Sequence, residues 1–228
     1  MKIKFINYII FVFLFIYCSP LKANTILFDS KNLKIENDGN LIYSGKGTSE
    51  IPEQKILIKG ERSIYNKEIS ELIIIGNVEF FDNLKQIYIS SEEAIYNEID
   101  NTILAKGKTF IRIENNYEIY SENVLYDRNS MIIMSELDSK IYDDLNNMYN
   151  FKDGFLFETV KEIISSKVTN IIDNENNSYL FENVKINLKT NELAGKEVQV
   201  DFINDFFGNE NNDPVIKGKS STSNEKET

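Results

Sequence analysis

From about Ile26 to Phe202, apolar and polar side chains alternate in short runs rich in Ile, Val, Tyr and Phe, the period-two pattern of half-buried β-strands. Polar clusters interrupt the runs at Asn37-Asp38-Gly39-Asn40, Phe81-Asp82-Asn83, Asp100-Asn101, Asn115-Asn116 and Asp127-Arg128-Asn129. Asn, Asp and Gly tolerate turn backbone or bond their own main chain, so these clusters predict tight connections. The three prolines, at 20, 52 and 214, fall outside the repeated strands, as a ladder that uses every N–H requires. Only Phe155 to Val168 admits a helical period, through Val160, Ile163 and Ile164, and its neighbours favour a strand pair there.

The pattern also repeats. Ile64-Tyr65-Asn66, Ile95-Tyr96-Asn97 and Leu125-Tyr126-Asp127 stand 31 and 30 residues apart, and Gly45, Gly76 and Gly107 keep the 31-residue step. A fixed period of this length marks units that bury a continuous core only by stacking. Superposed on the period, Leu41 and Tyr43 align with Leu72 and Ile74, then with Ile103 and Ala105. Val78 and Phe80 align with Thr109 and Ile111. On the other strand Ile56, Ile58 and Ile64 align with Ile87, Ile89 and Ile95, then with Tyr117, Ile119 and Leu125. Shared parity predicts one common apolar face, with Glu92, Lys106, Lys108 and Glu118 on the other. The glycines are expected to bend each strand and fold the sheet over that face. The apolar stripe reads either as a filled core or as the lining of a groove.

The first 23 residues have a different layout. Lys2 and Lys4 precede an apolar run from Tyr8 to Tyr17, followed by Ser19-Pro20 and Leu21-Lys22-Ala23, the order of a secretory signal cut after Ala23. The run is shorter than the roughly 20 residues of a spanning helix. A lipid-modified alternative would use Cys18, the single cysteine, against which the bulky Tyr17 argues. Cleavage at Ala23 would leave a chain able to form no disulfide and no thiolate metal site. It would also remove three lysines from a chain already at a formal charge of −11. So acidic a protein repels phosphate backbones and excludes nucleic acid as a partner; a lipid would have to be held by its acyl chains.

Catalytic chemistry finds little footing. The chain has no histidine, the commonest general base and metal ligand. Adjacent acids such as Glu92-Glu93 and Asp143-Asp144 point to opposite faces of a strand and cannot flank one bond. Gly45-Lys46-Gly47 is too short for a phosphate cradle. The clusters Asp173 to Asn177 and Asn209 to Asp213 lack the spaced ligands and closing glutamate of a calcium loop and read as turns. No cofactor, metal site or catalytic set is expected.

The phrases Ile89-Ser-Ser-Glu-Glu-Ala-Ile-Tyr-Asn97 and Ile74-Ile-Gly-Asn-Val-Glu-Phe80 resemble the OstA-like domain of lipopolysaccharide-transport proteins. The family's repeat joins a strand ending in an acid-Ala-aliphatic-Tyr-Asn/Asp corner to one reading aliphatic-x-Gly-Asn-Val. The resemblance covers about Ile26 to Phe202. It implies an all-β fold, a twisted, V-shaped jelly roll of antiparallel repeats with an apolar groove between two sheets. The implied division is a signal peptide at 1–23, the jelly-roll domain at 24–205 and a polar tail or linker at 206–228. Lipid-lining candidates are then Leu41, Tyr43, Ile56, Ile58, Leu72, Ile74, Val78, Phe80, Ile87, Ile89, Ile95, Ile103, Ile111, Tyr117 and Ile119. Implied partners are lipopolysaccharide and a neighbouring jelly-roll protein bound edge to edge. Implied location is the periplasm, associated with the outer membrane. The stretch from Gly195 to Gly218 is similar to the lead towards the membrane barrel of the outer-membrane assembly member; a barrel is then a partner if the chain is a fragment. A stand-alone soluble bridge, a structural β-solenoid with a dry core, and a carbohydrate-active repeat enzyme are the competing readings.

Overall fold

The structure, a computed structural model, describes residues 25–201 apart from 115, together with the strands 215–218 and 221–224. The segment read as a secretory signal, with Cys18, and the Asn209 to Asp213 cluster lie outside the described residues.

Among the described residues, twenty strands form one antiparallel sheet with no parallel pairing. Six strands of 10–12 residues run its full width: β7 (Glu71–Asp82), β8 (Ile87–Asn97), β9 (Thr102–Ile113), β10 (Tyr117–Asp127), β15 (Ile163–Ile172) and β16 (Ser178–Asn187). The other passes are broken midway into pairs. These are β1 (Leu27–Ser30) with β2 (Leu33–Glu36), β3 (Leu41–Ser44) with β4 (Gly47–Ile51), and β5 (Ile56–Gly60) with β6 (Arg62–Asn66). Further along come β11 (Ile132–Ser135) with β12 (Ser139–Tyr142), β13 (Met148–Lys152) with β14 (Phe155–Glu158), and β17 (Glu192–Gly195) with β18 (Glu197–Asp201). β19 (Val215–Gly218) and β20 (Ser221–Asn224) pair with β18 and β17, so the sheet continues into the segment expected to be a polar tail. Phe155 to Val168 is a strand pair, as its neighbours suggested.

The breaks and bulges line up into one crease, and the sheet folds there into two leaves. The first leaf holds β2, β3, β6, β11, β14, β17, β20 and the adjoining halves of the long strands; the second holds β1, β4, β5, β12, β13, β18, β19 and the other halves. Between β7 and β8 the crease is a bulge. Ile75 pairs with Glu93 and Val78 with Ser91, so Gly76 and Asn77 stand against Glu92 alone. Gly76 and Asn77 have φ of +83° and +45°, and Gly107 and Asn123 repeat the feature at +73° and +50°. Left-handed backbone suits Gly and Asn far better than the β-branched residues on either side. Gly107 is constrained twice, because a Cβ there would lie 2.6 Å from the Glu92 carboxylate. One 31-residue period is thus two passes across the crease.

The aliphatic-Tyr-Asn/Asp corner now has a cause. Its last residue ends a strand and accepts main-chain N–H groups of the next turn: Asn66 from Glu68, Asn97 from Ile99 and Asp100, Asp127 from Asn129 and Ser130; Asn187, which follows Ile186 without the tyrosine, does the same from Lys189 and Thr190. At the opposite edge Asp143 and Asp173 make a second device. Each carboxylate accepts two main-chain N–H groups, an Asn amide and the tyrosine hydroxyl six residues on. The cluster from Asp173 to Asn177 is thus a turn, as it reads in the sequence.

Candidate functional site: the interior and its mouth

Inward side chains from both leaves form one continuous apolar interior. Ile56, Ile58, Leu72, Ile74, Val78, Phe80, Ile87, Ile89, Ile103, Ile111 and Ile119 are all buried there, none more than 2% exposed. Phe151, Phe155, Phe157, Ile164, Phe181 and Ile186 extend it through the later passes. Tyr117 is half-buried against the same core. At such exposures no acyl chain fits beside these residues as they stand; the expected groove is closed, filled by its own side chains.

Three of the lining candidates face the other way. Leu41, Tyr43 and Ile95 are only partly covered, while their neighbours Ile42, Ala94 and Tyr96 point in. The same holds for Ile64 against Tyr65 and Leu125 against Val124 and Tyr126. The cause is the crease. The single bulged residue Glu92 lets Ile89 and Ser91 face in before it, then Ala94 and Tyr96 after it, so β8 reverses parity. β7 places two residues in its bulge and keeps parity. A single parity carried across both strands therefore holds on β7 and β9 and fails on β8 and β10. It fails too across the break between β3 and β4, which turns Leu41 and Tyr43 outward.

The parity reversal turns the repeated tyrosine inward at the mouth, where the two leaf tips meet opposite the crease. Every strand pairing stays within one leaf; across the mouth the contacts are made by side chains. Tyr96 of the first leaf donates to Gln54 Oε1 of the second at 3.0 Å. Tyr126 donates to Asp82 Oδ2 at 3.4 Å. Tyr117 of the second leaf donates to Glu162 Oε2 at 3.2 Å and meets the Phe157 ring edge-on at 5.3 Å. Phe28 and Tyr65 lie 6.2 Å apart across the same seam.

Arg128 closes the centre of the mouth. Its Nε donates to Asp82 Oδ2 at 2.7 Å, and the two side chains are 4% and 0% exposed. Its Nη1 donates to Asn101 Oδ1 at 2.6 Å and to Gln54 Oε1. Asp82 also accepts the Lys85 N–H at 3.1 Å. Burial, first among the causes, pushes the Tyr96 phenol up to about 12 and raises those of Tyr65, Tyr117 and Tyr126 further. All four stay neutral donors at physiological pH. This clasp was missed in the sequence, where Asp82 and Arg128 read as turn residues. One signal existed: Asp82 occupies the slot filled one period away by Ile51 and Ile113, both buried.

Among the described residues, β1 and β2 at one end of the sheet and β19 and β20 at the other have a strand partner on one side. Among the described residues β1 pairs only with β4 and β2 only with β3. Leu27, Leu33 and Ile35 on this edge are 50%, 50% and 58% exposed. Among the described residues no group of three or more His, Cys, Asp or Glu could hold a metal ion.

No protein-family model matches the chain, and no curated protein matches it. Among solved structures it is similar to the crystal structure of LptH, the LptA homologous periplasmic component of the conserved lipopolysaccharide transport device from Pseudomonas aeruginosa. The TM-score is 0.46 at 11% sequence identity, over 50% of this chain and 82% of that one.

Proposed function

We propose that the protein is a non-enzymatic periplasmic component of lipopolysaccharide transport that shelters the lipid's acyl chains between its two leaves. The observation that carries the reading is the way the interior is closed. The leaves are continuous through backbone only at the crease, and the mouth is held by side chains, so it can part without breaking a strand ladder. An apolar interior that opens lengthwise suits several acyl chains with a sugar headgroup left outside. Each buried methylene contributes about 0.8 kcal/mol, so a multi-chain lipid needs no specific polar contact to be retained. The OstA-like repeat phrases support the same reading, since they form the crease and the tyrosine mouth. The free edge of β1 and β2, with its exposed Leu27, Leu33 and Ile35, supports edge-to-edge pairing with a neighbouring sheet. A structural solenoid is the second reading, favoured by an interior already filled with side chains.

Photocrosslinking in cells separates them. Benzoylphenylalanine, close to tyrosine in shape, is placed at Tyr96 and Tyr126 in the mouth and at Tyr88 on the outer face. Lipopolysaccharide adducts at the two mouth sites and none at Tyr88 support transport. A folded protein with no adducts at the mouth, in cells making lipopolysaccharide, leaves the solenoid as the better account.

A further inference from the structure

The outer face of the second leaf carries a feature that the interior does not explain. A row of aromatic rings crosses five strands there. Phe81 and Tyr88 have centroids 5.0 Å apart, Tyr88 and Phe110 6.1 Å, Phe110 and Tyr120 5.1 Å, Tyr120 and Tyr142 5.8 Å. Arg112 lies over the rings of Tyr88 and Phe110 at 5.7 and 5.4 Å. The row runs into a cleft of about 1170 Å³ on the outer face of this leaf, with Phe110 and Tyr120 in its lining. That volume exceeds the roughly 300–1,000 Å³ usual for drug-sized ligands.

The chemistry of the cleft is mixed in a particular way. Phe110 and Tyr120 line one side, and Tyr120 is 45% exposed. Lys108, Lys140 and Lys152 rise from the lining as exposed side chains, none in an ion pair with a described residue. Three such cations converge in a chain of net charge −11, and Glu122 and Asp138 oppose them only in part. The floor between the lysines is mixed: Asn150 donates to the Asn170 carbonyl at 3.3 Å and the Asn170 side chain accepts from Ser178 at 2.8 Å, beside the apolar Val168 and the 41% exposed Leu180.

We propose that this cleft binds an acidic saccharide. Aromatic faces match the C–H faces of sugar rings, the amides and serines match hydroxyls, and the lysines match a carboxylate or phosphate on the glycan. An acyl chain is a poor occupant, since it would strip water from Lys108, Lys140, Lys152, Asn150 and Asn170 without returning hydrogen bonds, whatever it gained against Val168 and Leu180. An added peptide strand is excluded, because the strands beneath are paired on both sides from β9 to β16.

The test is calorimetric titration of the purified protein with a galacturonic acid oligomer, a neutral cello-oligomer of equal length, and laurate. The acidic oligomer is expected to bind, more weakly at higher salt, and the other two to bind at least tenfold less tightly. Tyr120→Ala and the pair Lys140→Gln/Lys152→Gln should each weaken the acidic oligomer about tenfold, or about 1.4 kcal/mol, with circular dichroism unchanged because all three side chains are exposed. Equal binding of the neutral oligomer, tighter binding of laurate, no binding of any probe, or indifference to both variants would overturn the proposal. Loss of lipopolysaccharide adducts at Tyr96 and Tyr126 bears on the interior alone and leaves this cleft standing.

Discussion

Arg128→Met should destabilise the protein more than replacing both members of its ion pair. In the wild type the guanidinium and the Asp82 carboxylate meet at 2.7 Å with almost no exposure to water. Without the arginine, Asp82 keeps only the Lys85 N–H at 3.1 Å and the Tyr126 hydroxyl at 3.4 Å. Stranding one buried charge in this way costs about 3–5 kcal/mol. Replacing the pair by Asp82→Leu with Arg128→Met removes both charges. It also restores the apolar residue type that Ile51 and Ile113 supply at the equivalent positions. Such swaps are often neutral or stabilising by about 1–4 kcal/mol, so the double variant should lie near wild type. Urea denaturation followed by circular dichroism measures both, with the midpoint shifted and the slope unchanged. Hydrogen exchange at the Tyr96 and Tyr126 amides reports whether the mouth opens first. A single-variant cost below about 1 kcal/mol, or a double variant as unstable as the single, would refute the idea that a desolvated charge pair holds the leaves together.

Two further outcomes follow from the crease and the mouth. A strain-free glycine-to-alanine exchange stabilises by about 0.4–1 kcal/mol, whereas Gly107→Ala should destabilise by more than about 1 kcal/mol, because φ is +73° and the new Cβ meets Glu92 at 2.6 Å; thermal melts of Gly107→Ala beside Gly47→Ala, where the Cβ would meet Asp29 backbone at 2.1 Å without positive φ, separate conformational strain from simple clash. The raised phenol of Tyr96 sets an alkaline limit. Its neutral form is favoured in the fold, so its contribution is fully present below its ordinary value of 10 and is lost as pH rises from there through about 12. Tyr96→Phe should flatten the fall in urea midpoint across that window, and an unchanged pH profile would contradict the assignment.

Much of this architecture is legible in the residues themselves. Alternation and turn clusters mark the strands, and the 31-residue step marks a repeat, because both depend on local backbone chemistry and on spacing. Asn66, Asn97 and Asp127 declare the turns by the same logic, since each bonds main-chain groups only two or three residues away. Gly76 and Gly107 mark the crease because few other residues accept its left-handed backbone. The face that each side chain takes beyond the crease was not legible. Leu41, Tyr43 and Ile95 look inward when parity is carried straight through; the single bulged residue Glu92 reverses Ile95, and the break at Gly45-Lys46 between β3 and β4 reverses Leu41 and Tyr43.

What only the tertiary structure decided is what meets across the mouth and what lies behind the sheet. Gln54 finds Tyr96, Asp82 finds Arg128 and Tyr117 finds Glu162 across 42 to 46 residues of chain. That offset is about one and a half repeat periods, too far along the chain for any local pattern to announce it. The interior is likewise a tertiary result: period-two sequence supplies an apolar face, and the folding of the leaves determines whether that face lines a groove or fills it. The outer row from Phe81 to Tyr142 arises the same way, because cross-strand neighbours that form one surface are separated in sequence by whole hairpins. Sequence determined strands, turns and crease, where the governing interactions are local; the fold decided mouth, core and cleft, where they are not.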